Sequence, residues 1–208
     1  MSDHVILLHG LWMRGFTLAA LRRRLQEAGY TVDLFDYASV FRDPQISIER
    51  LSVRARSVSS ARVHLVGHSL GGLIALQTLQ RDPELIGGNV VCLGVPLRGS
   101  AVARGVARLP GGPLVIGRNL DILRNGIARW QGRQAIGAIA GRLPFGFGAA
   151  LSALASPHDG TVSVAETELP GLTDHVVVPA THTGLLFSQQ AAEQTIAFLR
   201  GARFARTS

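Results

Sequence analysis

Lysine is missing from this chain of 208 residues, so all 21 of its Lys and Arg positions are arginine. Set against 14 acidic residues, they give a formal charge of +7. Exclusive use of arginine points to a GC-rich coding bias rather than to selection for nucleic acid. The arginines are spread from Arg14 to Arg206, and only Arg22-Arg23-Arg24 is contiguous. That triplet falls on a predicted helix whose other face is apolar, so it reads as a solvated face. A nucleic-acid binder needs clustered basic residues interleaved with aromatics. Aromatics are only 6% of the chain, and no nucleic-acid partner is expected. General attraction of the net charge to an anionic lipid surface stays open as a transient contact.

Cysteine is nearly absent too. The lone Cys92 sits inside the strand-like run Val90-Val91-Cys92-Leu93, can form no internal disulfide and reads as a small core residue. It fits a reducing, cytoplasmic setting. No apolar run reaches the 18 residues of a membrane span. Met1-Ser2-Asp3-His4 offers no basic n-region, apolar h-region or cleavage site, so no secretion signal is read there. Zinc-type Cys/His spacing, a phosphate loop and internal repeats are also lacking, and no cofactor or metal is expected. What is plentiful is apolar sequence, at 47%. A chain of this length should bury about 70% of its unfolded surface as one domain, 1–208.

The pattern along the chain alternates strand and helix, which argues for a largely parallel sheet with helices on both faces. Strands are expected at 4–8, 31–35, 62–66, 89–93, about 135–140 and 174–178. Leu18, Leu21, Leu25 and Ala28 recur at helical spacing, with Thr17 as N-cap and Gly29 just past the end. Ile48, Leu51, Ala55 and Val58 mark a second helix opened by Ser47, and a third runs over about 70–81. A last helix carries Ala192, Thr195, Ile196 and Leu199, with a frayed tail after Gly201. The stretches 95–134 and 141–160 read as irregular. Within the second, Pro144-Phe145-Gly146-Phe147-Gly148 is either a mobile apolar flap, a small lid over 141–148, or a fixed loop whose aromatics pack.

The most informative segment is Gly67-His68-Ser69-Leu70-Gly71, directly after the apolar run 63–66 and directly before a helical pattern. This is a G-x-S-x-G elbow in a strand–turn–helix context. Serine is a weak nucleophile in water, so a reactive one must be exposed beside a base and an anion trap. A sharp turn lifts the hydroxyl off the sheet, and the helix N-terminus behind it favours developing negative charge. Gly67 and Gly71 stand where a Cβ would clash, and Gly72 extends the run of small residues. Downstream lie Pro157-His158-Asp159-Gly160 and then Thr181-His182-Thr183-Gly184. Upstream, the run 5–8 ends in His9-Gly10-Leu11-Trp12.

The segments VILLHGLW, VHLVGHSLGG, GVPLRGS, SPHDGTVS and THTGLL, spread over residues 5–186, resemble the α/β-hydrolase superfamily. Within it, the chain is similar to the small lipase/esterase branch without an elaborate cap domain. The resemblance implies a minimal α/β-hydrolase fold of about six mostly parallel strands. It also implies an esterase or lipase-like hydrolase acting through an acyl-enzyme, with a thioesterase or amidase on the same triad as the alternative. A non-catalytic binding protein of this fold is the remaining class, and would predict a damaged triad. The implied nucleophile is Ser69, the base His182 and the acid Asp159, in the chain order Ser, Asp, His of this superfamily. Asp121 and Asp174 compete for the acid, and His64 and His175 for the base. The backbone N–H groups of Leu11 and Leu70 are the implied oxyanion donors. Trp12, Phe145 and Phe147 are expected to contact a small-molecule or lipid ester. His9 and His158 read as structural neighbours, His68 as no second base, and Arg98 as half of a structural salt bridge or a contact for an anionic headgroup.

Overall fold

The computed structural model describes residues 2–60, 62–146 and 154–206. Six strands form one sheet: β1 (His4–Leu8), β2 (Thr31–Phe35), β3 (Val63–His68), β4 (Val90–Leu93), β5 (Ile136–Gly141) and β6 (Asp174–Val178). Their order is β2-β1-β3-β4-β5-β6 and every neighbouring pair is parallel. Parallel strands buried on both faces need no polar side, which is why residues 5–8 of β1 and all of β4 read as unbroken apolar runs.

Alternation along the strands sorts the core into two layers. Ile6, Leu8, Leu65, Val90, Cys92, Ile136 and Ala138 face one side, against α2 (Pro44–Arg56) and α3 (Leu70–Arg81). Val5, Leu7, Val66, Val91, Leu93 and Ile139 face the other, against α1 (Ala19–Glu27) and α7 (Gln189–Gly201). Gly137 lets α7 come close, because a Cβ there would lie 2.6 Å from the Phe198 ring. The first layer is extended by three short helices, α4 (Ala101–Val106), α5 (Gly112–Ile116) and α6 (Leu120–Asn125). They occupy the first stretch read as irregular. None is long enough to leave a readable period, and Gly111, Gly117 and Gly126 interrupt them at positive φ. Among the described residues, no helix is long and apolar enough to cross a membrane.

Three local expectations need correction. Thr17 does not cap α1: its hydroxyl donates to the Arg14 carbonyl inside a 3₁₀ turn over Gly15–Leu18 that precedes the helix. Ser47 lies buried within α2, whose N-cap is Asp43, accepting from the Gln45 N–H at 2.8 Å, with Pro44 at the first helical position where its missing donor is harmless. Residues 202–206, the described part of the segment after Gly201, are tied down rather than frayed. Phe204 is buried with its ring 4.9 Å from Phe198, and Asp174 accepts from the Phe204 N–H and pairs with Arg206. Phe204→Ala should therefore cost about 3 kcal/mol and lower the thermal midpoint by about 6–12 °C, measured by calorimetry. A shift under about 2 °C would mean the tail contributes nothing to the core.

Candidate active site

The junction between β3 and α3 is made by backbone proximity. A Cβ on Gly67 would lie 2.4 Å from the Gly72 nitrogen, and one on Gly71 would lie 2.6 Å from the carbonyl oxygens of Leu8 and His9. A Cβ on Gly72 would strike Val95 at 2.3 Å. Only glycine allows α3 to start this close to β1 and β3. The turn forces Ser69 to φ 51 and ψ −122, a region that L residues rarely occupy. Its N–H is fixed by the Leu93 carbonyl at 3.0 Å. Ser69 is one of only three non-glycine residues at positive φ among the described residues, and Trp12 at φ 60 is another. Gly10 brings the loop carrying Trp12 against the elbow, since a Cβ on it would be 3.2 Å from Ser69 Cβ. The N–H groups of Leu11 and Leu70 have no acceptor among the described residues.

That loop is held by His9. Its Nδ1 is 2.9 Å from the Gly10 carbonyl oxygen, which can only accept, so Nδ1 carries the proton. Nε2 then accepts from the Tyr37 N–H at 3.3 Å. The Tyr37 hydroxyl donates to the His9 carbonyl at 2.7 Å, and the two rings stack at 4.4 Å. Burial pushes the His9 pKa down and keeps the ring neutral.

Across the cavity, the Nδ1–H of His182 donates to Asp159 Oδ2 at 2.7 Å. Asp159 Oδ1 accepts from the N–H groups of Thr161 at 2.9 Å and Val162 at 2.7 Å. The His182 N–H in turn donates to the Asp159 carbonyl at 2.8 Å, so main chain and side chain lock the two loops together. Burial alone would raise the Asp159 carboxyl, but His182 and the two backbone donors outweigh it and hold the pKa below its usual value. With Nδ1–H committed to Asp159, the His182 Nε2 lone pair is left free. His182 and Ser69 line the same cavity, without a hydrogen bond between their side chains in this state. Such contacts are often long before substrate binds.

His68 packs beneath this pair, its ring 4.6 Å from His182. Its Nε2–H donates to the His182 carbonyl at 3.0 Å, and its buried Nδ1 has no partner among the described residues. Burial first, and the neighbouring His182 second, push its pKa down to about 3. It is thus a neutral strut, not a second base.

The cavity holds about 360 Å³. Trp12 and Leu11 line it, and Val102, Val106, Ile116 and Leu123 from α4–α6 supply much of the apolar wall. Phe145, expected to contact substrate, is 73% exposed and is not among the residues that line it. Instead its backbone packs on Gly160, where a Cβ would lie 2.2 Å from the Phe145 carbonyl oxygen. Phe147 and Gly148, the end of the 141–148 segment, lie outside the described residues. The competing residues have other work: Asp174 holds the C-terminal tail, and Asp121 lies exposed in α6. His64 accepts from the Asn89 N–H at 2.9 Å, and His175 meets the Thr167 hydroxyl at 2.8 Å. Arg98 is exposed and forms no salt bridge among the described residues, so that structural reading is withdrawn.

The sequence reading passed over Glu166. It is buried, and its carboxylate accepts from the N–H of Ala101 at the start of α4 and from the Ser163 N–H and hydroxyl. One side chain thereby fastens the loop after Asp159 to the helix that walls the cavity. Ser163-x-x-Glu166 is a capping-box pattern, and that spacing was the available signal.

The profile of the Alpha/beta hydrolase family matches residues 5–206. The chain belongs to this family. Among solved structures, a Bacillus licheniformis lipase in its propeptide form superposes with a TM-score of 0.80 at 18% identity, over 100% of this chain and 52% of that one. The chain thus spans about half the length of that protein. The mature form of the same lipase gives 0.75 at 16% identity, over 96% of this chain and 91% of the other. A pyrethroid hydrolase from Sphingobium faniae gives 0.64 at 18% identity, over 97% and 98%. At these identities the likeness is one of fold. No curated protein matches the chain at the level of sequence.

Two predictions follow from the packing around Asp159 and His182. A Cβ on Gly94, which sits at φ 55, would come within 3.1 Å of both Asp159 Oδ2 and His182 Nδ1 and within 2.9 Å of Leu185. Gly94→Ala should wedge the pair apart and lower kcat by about 10- to 100-fold, with KM changed much less; steady-state kinetics at neutral pH would read the split. Unfolding should also respond to pH. His68 takes up its proton near pH 6.5 when unfolded but only at about 3 when folded. Between these values the unfolded chain binds the extra proton, so stability is full above pH 6.5 and falls as the pH drops. His9, His64 and His175, also lowered by burial, act with the same sign. His68 alone implies about 1.4 kcal/mol per pH unit, or about 3–6 °C in the thermal midpoint. His68→Gln, which keeps an N–H donor, should flatten the slope between pH 6.5 and 4.5; an unchanged slope would contradict this account.

Proposed function

We propose that the chain is a serine hydrolase cleaving carboxylic esters of short to medium acyl chains through an acyl-enzyme. Family membership supports hydrolase chemistry at large. The observation that carries the finer reading is the buried Asp159–His182 hydrogen bond, which leaves Nε2 unengaged in the cavity that Ser69 lines. In this reading Ser69 Oγ attacks the acyl carbonyl carbon while His182 Nε2 takes the hydroxyl proton. Asp159 holds the tautomer and stabilises the imidazolium. The negative oxygen of the tetrahedral intermediate accepts from the N–H groups of Leu11 and Leu70, each worth about 2.7–4 kcal/mol of barrier. Collapse expels the alcohol, which leaves with the proton from His182. Water then attacks the acyl-enzyme by the same route and frees Ser69 and the acid.

The apolar lining from α4–α6, together with Leu11 and Trp12, supports an acyl chain in preference to a polar acyl group. A thioester or an amide would meet the same groups, and the leaving group decides among them.

Hydrolysis of a nitrophenyl ester series from acetate to palmitate, by the wild type and Ser69→Ala side by side, tests this. Activity should peak at a short or medium chain and drop by at least about 10³-fold in the variant. Equal rates in the two proteins would remove Ser69 as the nucleophile for these esters.

A further inference from the structure

Several large apolar side chains stand out in solvent near the cavity mouth. Leu114 is 82% and Phe41 78% exposed. Each adjoins a residue that lines the cavity. Val115, next to Leu114 in α5, lines the cavity, as does Trp12. The Trp12 ring meets the Phe41 ring edge-on at 6.5 Å, and the Val40 carbonyl accepts from the Arg118 N–H at 3.1 Å just beyond α5.

Charge of one sign collects on the same segment. Between residues 98 and 133 there are seven arginines and a single acid, Asp121. All seven arginines are exposed. Arg104 and Arg133 have Glu166 and Glu84 as partners. Arg108 and Arg118, on either side of α5, have no carboxylate within ion-pair reach among the described residues. Exposed apolar side chains beside uncompensated guanidinium groups suit a surface that is apolar beneath and negative on top. A second copy of the chain would set like charges face to face, and a nucleic acid would gain nothing from Leu114.

We propose that this face, with Leu114 and Phe41 as apolar contacts and Arg108 and Arg118 as headgroup contacts, docks on an anionic phospholipid bilayer and turns the cavity mouth toward it. Docking is independent of the proposed chemistry. Only its use, delivery of an ester from the lipid phase, rests on the hydrolase reading.

The test is partition of the full chain carrying Ser69→Ala onto phosphatidylglycerol-containing vesicles and onto pure phosphatidylcholine vesicles. It is read by co-sedimentation and by tryptophan emission. Of the two tryptophans, Trp130 is buried and Trp12 is 60% exposed, so a blue shift reports Trp12. Anionic vesicles should bind at least tenfold more tightly than neutral ones. Arg108→Gln with Arg118→Gln should weaken that binding by about 25-fold, about fivefold for each arginine, and Leu114→Asp with Phe41→Asp by at least tenfold. With Ser69 restored, neither pair should alter hydrolysis of a short water-soluble ester, because none of the four side chains lines the cavity. Equal binding to both vesicle types, no binding, or binding indifferent to both variants would overturn the proposal. So would self-association through this face, or capture of a DNA duplex in place of vesicles. A chain that binds vesicles but cleaves no ester overturns only the hydrolase reading. One that cleaves esters and ignores vesicles overturns only the docking.

Discussion

Everything at the site depends on one steric condition: α3 must begin within touching distance of the C-terminal ends of β1 and β3. The condition is met by three glycines whose hydrogens face carbonyl oxygens, a backbone nitrogen and a valine methyl at distances no Cβ could share. The consequence runs outward. Ser69 is forced to positive φ, the first turn of α3 presents its N–H groups to the cavity, and the Gly10 loop comes to rest on Ser69. A strained backbone of this kind costs on the order of 1–3 kcal/mol and persists only where its surroundings over-determine it. Here they do, because the strands on either side of β3 are paired along their length and buried on both faces.

The remaining groups reach the cavity by a different kind of restraint. Asp159 and His182 sit on loops after β5 and β6, where no helix or strand geometry sets their positions. Their places are set by polar ties: two N–H groups on Asp159 Oδ1, the His182 N–H on the Asp159 carbonyl, the His68 N–H on the His182 carbonyl, and Glu166 across to α4. Because these ties are buried or partly buried, they are stronger than they would be in water and costly to leave half-made. Beneath them, the buried His68 Nδ1 has no partner among the described residues. Keeping that ring neutral spares the site a buried cation beside His182. The cost falls on stability in acid rather than on the chemistry.

The difference between these two restraints explains what could be read from the sequence. All six strands were legible, most within a residue or two, because parallel strands buried on both faces leave short apolar runs between turn residues. The elbow was legible because its glycines are a steric demand that admits no substitute. The helix starts were less so: Thr17 and Ser47 are acceptable caps by residue type, but Asp43-Pro44 was the stronger start signal and was passed over. The tail was misjudged because Phe204 and Asp174 lie 30 residues apart and only the fold brings them together. The cavity wall was the least legible part. Helices of five or six residues carry too little periodicity to register, and an exposed phenylalanine in Pro144-Phe145-Gly146 looks as apt for substrate as Val106 or Ile116.

Charge shows the same limit from the other side. Along the chain the arginines are scattered, and their count alone carries no address. Once folded, a long stretch with a single acidic residue supplies the short helices over the cavity, and among the described residues no carboxylate stands within ion-pair reach of Arg108 or Arg118. Net charge is a property of the sequence, whereas a charged face is a property of which segment the sheet leaves on top. In a doubly wound fold the loops at the C-terminal edges of the strands are free of sheet packing. Their side chains can therefore be chosen for what lies outside the protein. The elbow's backbone is fixed by glycine and strand pairing, so the exposed arginines around α4–α6 can change without disturbing it. In the proposed reading, substrate and surface preference rest on the outward-facing side chains of these short helices.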